Sequence, residues 1–160
     1  MASKKYSLPE FLIGRCTGED YLKWLNGRAT AHARRDRKRG HMAARREAYM
    51  IAIHAAVLRG GGVDDYTGEA LAWENINTYD NAKSKELHRL YKKSFGNLPT
   101  VDHFGEDLTA CEFRICSWRT NDCKNDLSSE ELIEFCRAVL AHEDRKRVLE
   151  NNRKLLRTKK

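Results

Sequence analysis

The longest stretch of this chain without a charge covers residues 48–58, eleven positions that include Met50, Ile51, Ile53, Val57 and Leu58. A helix needs about 20 consecutive apolar residues to cross a bilayer, so this one cannot span a membrane. It is too apolar to lie on a surface either, so the rest of the chain must cover it. The fold is therefore expected to be built around a scaffold helix over 42–58. Ahead of it, Thr17 offers an N-cap hydroxyl, Glu19 and Asp20 place acids in a first turn, and Tyr21, Leu25 and Ala29 recur on one face. That pattern predicts a first helix running to about Arg39, broken by Gly40. His54 lies on the apolar helix and reads as a satisfied core histidine rather than a ligand. A length of 160 residues leaves room for one core, and 41% hydrophobic residues with three Trp exclude a disordered or low-complexity chain.

Arg59-Gly60-Gly61-Gly62 punctuates the chain as a flexible joint. Beyond it, Tyr66-Thr67-Gly68-Glu69 reads as a turn with Gly at its corner, and Leu87, Leu90, Tyr91 and Phe95 fall in helical register over 83–95. Residues 98–104 and 111–118 are strand candidates. Cys111, Phe113 and Ile115 alternate onto one face of the second, and the two together predict a hairpin. An S-x-x-E capping box within 126–131 then opens a helix with Leu132, Ile133, Phe135, Cys136, Val139 and Leu140 available for burial.

Charge divides the chain unevenly. Residues 28–63 carry 9 basic and 2 acidic side chains, residues 64–142 carry 9 basic and 15 acidic, and residues 143–160 carry 8 basic and 3 acidic. The densest basic run contains Arg34, Arg35, Arg37, Lys38 and Arg39, with Arg45 and Arg46 shortly after. One or two cations would complement a helix C-terminus. Seven exceed that need and point to a polyanion, since neutralised phosphates release counterions. The acidic middle between basic flanks suggests a cation site. Met1-Ala2-Ser3-Lys4-Lys5 is followed by no apolar stretch of signal-peptide length, and five Cys make an odd count without a C-x-x-C pair. The expectation is a cytoplasmic protein with reduced thiols and no structural zinc, with nucleoid association or a phage origin left open.

The residues that carry chemistry are Asp102-His103 and, after the predicted hairpin, Asn121-Asp122-Cys123-Lys124-Asn125-Asp126-Leu127. A carboxylate and an amide oxygen suit a hard divalent cation, and the imidazole next to them is a base. Side chains alternate along a strand, so Asp102 and His103 can serve one site only if the strand ends or is distorted there.

Val101-Asp102-His103, Asn121-x-x-Lys124-Asn125-Asp126 and Ser129-Glu130-Glu131, with Tyr66-Thr67-Gly68-Glu69 ahead of them, resemble the HNH nucleases of the ββα-metal fold over residues 66–142. The resemblance implies an α+β, mostly helical protein. Its N-terminal helices would pack on a ββα-metal (HNH) module with a two-stranded hairpin and a C-terminal helix. The expected divisions are a basic helical segment 1–62, the HNH-like module 63–142 and a basic tail 143–160.

The implied activity is metal-dependent endonucleolytic hydrolysis of DNA. His103 would be the general base, and Asp102 and Asn121 would hold Mg²⁺, or Mn²⁺ in its place. Asn125 matches the last motif position, as a ligand or as a residue that orients the loop. The middle Asn of the family pattern is absent, and Glu112 stands in its place. Glu112 could orient the metal loop, add a carboxylate near the cation, or face solvent. Arg34, Arg35, Arg37, Lys38, Arg39, Arg45, Arg46 and Lys124 would contact nucleic acid. The alternative is a non-catalytic nucleic-acid-binding protein on a degenerate HNH scaffold. RNA is left open as a partner, as is a homodimer, and no membrane is involved.

Overall fold

The computed structural model describes residues 4–40, 45–103 and 112–158. Residues 1–123 form one compact unit and residues 124–160 a second. The division at Cys123 differs from the boundaries expected at 62 and 142. The N-terminal helices and the hairpin share one core, and the last helix runs through residue 142 without a break.

In the first unit, α1 spans Gly18–Lys38 and α2 spans Arg46–Gly60. Thr17 caps α1 by accepting from the Asp20 N–H at 3.0 Å, as the sequence predicts. The expected start of α2 at Met42 lies outside the described residues. The face of α1 carrying Tyr21, Trp24, Leu25 and Ala29 closes on Ile53, Ala56 and Val57 of α2. The hairpin supplies Val101, Phe113 and Ile115 to the same core, and Trp73 fills its centre. Full burial of each large side chain is worth roughly 1.5–3 kcal/mol, so this cluster dominates the fold's stability. His54 is satisfied as expected, with its Nδ1 2.7 Å from the Tyr21 hydroxyl.

The Gly60-Gly61-Gly62 segment is a packed turn, not a flexible joint. Gly61 closes α2 in the left-handed region, and Gly62 has φ 90° with Phe11 so near that a Cβ would lie 3.1 Å from its ring. Only glycine meets both demands. The loop that follows turns at Gly68, φ 71°, as the sequence predicts.

Helix α3 spans Asn81–Ser94 but breaks at His88, φ 47° and ψ −125°, a conformation a residue with a Cβ adopts only at a cost in strain. Strands β1, Pro99–His103, and β2, Phe113–Ser117, pair antiparallel with Asp102 opposite Arg114 and His103 opposite Phe113. The hairpin is therefore present, with β1 ending at His103 and the positions beyond it, 104–111, outside the described residues.

Helix α4, Trp118–Lys124, begins directly after β2, where the sequence suggested the end of a strand and a loop. Its first N–H groups find acceptors at once: Trp118 donates to Leu98 O, Arg119 to Gly96 O and Thr120 to Ser117 Oγ. Those bonds supply the partners a helix start otherwise lacks. Asn125 follows at φ 50°, the left-handed position that ends many helices and that Asn tolerates better than most residues.

The second unit is dominated by α5, Ser129–Thr158. Ser128 and Glu131 form the expected capping box, with Glu131 N–H on Ser128 Oγ at 3.1 Å and Ser128 N–H on the Glu131 carboxylate at 2.7 Å. Phe135, Val139 and Leu140, expected to be available for burial, are exposed on this helix. No described helix is long and apolar enough to cross a membrane.

Candidate functional site

Asp102 and His103 close β1, and strand alternation sends them to opposite faces. Asp102 is buried on the loop side, where the Tyr66 hydroxyl donates to its Oδ2 at 2.7 Å and Arg114 stands 5.3 Å over the Tyr66 ring. His103 turns toward α1. Its ring packs 4.8 Å from Phe113 and 5.2 Å from His32, centroid to centroid. Its Nε2 lies 3.3 Å from Asp36 Oδ1, inside ion-pair range but off the line of a hydrogen bond.

Asp36 is buried and also accepts the Tyr49 hydroxyl at 2.6 Å. Burial pushes the His103 imidazole below its ordinary pKa, and the Asp36 carboxylate pulls in the other direction without reversing it. His103 is thus a neutral, partly exposed imidazole at neutral pH, held beside a carboxylate that sequence reasoning did not single out. Asp36 is the lone acid in Arg34-Arg35-Asp36-Arg37-Lys38-Arg39 and follows His32 by one helical turn. That exception within a basic run was the available signal.

His32 is buried with Nδ1 unpartnered, and burial lowers its pKa from 6.5 to about 3. The unfolded chain therefore takes up a proton that the folded chain refuses, and stability falls as pH falls from 6.5 toward 3. Between pH 7 and 5 this one group should remove about 2 kcal/mol of stability. Urea unfolding at the two pH values checks it, since His32→Leu should abolish that share of the difference.

A buried carboxylate, Asp64, ties the loop after α2 to the junction of β2 and α4. Its Oδ1 accepts from the N–H groups of Tyr66 and Thr67 at 2.8 and 3.2 Å. Its Oδ2 accepts from Ser117 N–H at 2.8 Å and from the Thr120 hydroxyl at 2.7 Å. Against burial, which raises the carboxyl's pKa, these bonds hold it below the usual range. Asp64 thereby fixes both Tyr66, which bonds Asp102, and Thr120, which precedes Asn121.

Asn121 is half-buried on α4 and lines an open groove of about 1070 Å³ together with Thr100 of β1. Asp102 shares the strand face of Thr100, two residues before it, but is not itself among the residues that line the groove. Glu112 is exposed just before β2. Asn125 is exposed at the end of α4, its amide donating to Asp126 Oδ1 at 3.1 Å. Lys124 is the buried last residue of α4.

The predicted basic run is distributed around its helix. Arg35 lines the groove, whereas Arg34, Arg37, Lys38 and Arg39 are exposed outside it. Arg45 is exposed, and Arg46 donates to the Asn26 side chain. The groove draws its other cations from positions the sequence did not mark: Arg28 of α1, Arg89, Lys92 and Lys93 of α3, and Arg119 of α4. No protein-family model, curated protein or solved structure matches the chain.

Proposed function

We propose that the chain is a metal-dependent endonuclease of the HNH type that hydrolyses phosphodiester bonds in DNA. His103 would be its general base, and Asp102 and Asn121 would hold the divalent cation. That arrangement needs the backbone to turn where β1 ends, since within the strand Asp102 faces Tyr66 and His103 faces α1. The observation that carries this reading is the succession of strand, strand and helix. Strand β1 ends on Asp102 and His103, β2 returns beside it, and α4 leaves β2 with no intervening residue, bringing Asn121 beside a cation-lined groove.

The donors suit the cation. Asp102 and Asn121 offer hard oxygen atoms, the kind Mg²⁺ takes in small number while keeping several waters. Among the described residues no three His, Cys, Asp or Glu side chains converge on a cation position. A cation held by those two oxygens would take water and substrate oxygens at its other positions. When bound, such a cation neutralises charge on the scissile phosphate and on the leaving oxygen.

The chain's own residues supply the rest. A neutral imidazole is the form that accepts a proton from water, and burial keeps His103 in that form. A proton on Nε2, the nitrogen beside Asp36, leaves Nδ1 as the acceptor. Groove cations would neutralise phosphates on either side of the one attacked.

Relaxation of supercoiled plasmid tests the proposal. Nicking in Mg²⁺ or Mn²⁺ that stops in EDTA is expected. Salt-sensitive DNA binding with no nicking in either metal would instead make the chain a binding module on the same scaffold.

A further inference from the structure

The groove that Asn121 lines has a composition that its neighbours do not explain. Six cations face it: Arg28, Arg35, Arg89, Lys92, Lys93 and Arg119. Only Arg119 has an ion-pair partner among the described residues, the Glu69 carboxylate. Asp122 is the single carboxylate among the described residues of the lining. Burial, and after it the adjacent Arg35 charge, push the Arg28 guanidinium below its ordinary pKa. A protein that gathers unpaired cations in a concavity gains when a polyanion enters it.

Two further observations narrow the polyanion. The groove, at about 1070 Å³, lies at the upper end of the roughly 300–1,000 Å³ of small-molecule sites, and its cations come from three separate helices. It suits an extended chain. Arg28, Tyr79 and Trp118 also line a second, adjoining pocket of about 310 Å³, whose remaining wall includes Trp24, Ile76 and Leu98. That pocket is largely apolar and aromatic, and its walls are fixed: Trp24 donates to Pro99 O at 3.2 Å, and Tyr79 packs edge-on against Trp118 at 4.7 Å. A cationic track beside an aromatic recess is the arrangement that holds single-stranded nucleic acid, phosphates on the cations and bases against the rings. Paired duplex bases are stacked inside and could not enter the recess.

We infer that the groove between α1, α3 and α4 binds one unpaired strand of nucleic acid by its phosphates and seats one of its bases in the pocket beside Trp118 and Tyr79. The groove's three α3 cations, Arg89, Lys92 and Lys93, all lie after the break at His88. The inference extends the nuclease reading to the form of its substrate. It rests on that reading for the identity of the polyanion, but its test needs no cleavage.

The test is anisotropy of a fluorescein-labelled eight-nucleotide oligothymidylate with the full chain in EDTA, titrated over a range of salt. The same oligonucleotide with abasic residues, and its duplex, are run beside it. The oligothymidylate should bind more tightly than the duplex. The abasic strand should bind about tenfold more weakly, because base–aromatic stacking is lost. Its salt slope should be unchanged.

Arg89→Ala combined with Lys93→Ala should lower the salt slope by about 1.4, at about 0.7 per single-strand phosphate contact. Arg89→Lys with Lys93→Arg should restore it. Equal affinity for normal and abasic strands, preference for the duplex, or an unchanged slope in the alanine variant would each overturn the inference. Plasmid nicking that persists alongside any of those results would leave the nuclease reading standing. Groove binding as expected without nicking in any metal would remove the nuclease reading and leave the groove.

Discussion

Asp64→Asn is expected to destabilise the fold by about 3–5 kcal/mol. The carboxylate is buried and accepts four hydrogen bonds, two on each oxygen. Asparagine keeps the volume but turns one acceptor into a donor, so two of the four donors face an N–H they cannot use. Hydrogen bonds to a charged group are worth about 1.5–3 kcal/mol each. Urea unfolding should show a lower midpoint with an unchanged slope, since the surface exposed on unfolding is the same.

The effect carries a pH signature. These bonds hold the folded carboxyl below the usual range, so its stabilisation is complete above the ordinary carboxylate value. It is lost as pH falls through the folded value. Asp64→Asn should erase that acid limb. A loss under 1 kcal/mol would mean that the loop carrying Tyr66 is held by something else. Because the same carboxylate fixes Thr120, the variant should also lose cleavage in proportion to the disorder it introduces at Asn121.

His103→Ala is expected to lower the rate of DNA cleavage by about 10²- to 10⁴-fold, the contribution of a positioned general base. The side chain also packs on Phe113 and stands beside buried Asp36, so the alanine variant leaves a gap and an exposed carboxylate. His103→Gln fills most of that gap and cannot accept a proton from water, so it should be as inactive as alanine while unfolding nearer the wild-type midpoint.

The pH profile separates the base from a purely structural role. Burial puts the folded imidazole below its ordinary value, so the rate should rise at pH below about 6.5 and level off by neutrality. A rate that keeps rising through pH 8 in wild type would point to a different base. Equal cleavage by wild type and His103→Gln would remove the residue from the chemistry.

Local patterns in the sequence marked the elements well where one short-range signal sufficed. Thr17 as a cap, the Ser128 and Glu131 box, Gly68 at its turn and the alternation of Phe113 and Ile115 each depend on residues a few positions apart. Helix α4 escaped because Trp118–Lys124 is too short to show a helical period, and its start is secured by acceptors at Leu98 and Gly96, some 20 residues away. The triple glycine suggested flexibility, whereas Phe11, about 50 positions earlier in the chain, packs against Gly62 and makes it a packing position.

The charge arithmetic misled in an instructive way. The segment 64–142 is net acidic, yet it supplies Arg89, Lys92, Lys93 and Arg119 to the groove. Much of the dense run in α1 meanwhile points elsewhere, because consecutive residues on a helix face different directions. Segment sums count charges, and tertiary structure aims them. The roles of Asp36 and Asp64 were hard to read for a related reason: Asp36 meets Tyr49 and His103, 13 and 67 positions on, and half of the bonds to Asp64 come from Ser117 and Thr120, 53 and 56 positions on.

The central claim is that this chain cuts DNA with His103. The most direct test is nicking of supercoiled plasmid in Mg²⁺ by wild type and His103→Gln side by side, with DNA binding by both measured in EDTA on the same preparations. Metal-dependent nicking by wild type, lost in the variant while binding is retained, is the predicted result. Equal nicking by both proteins, or binding by both with nicking by neither, would contradict it.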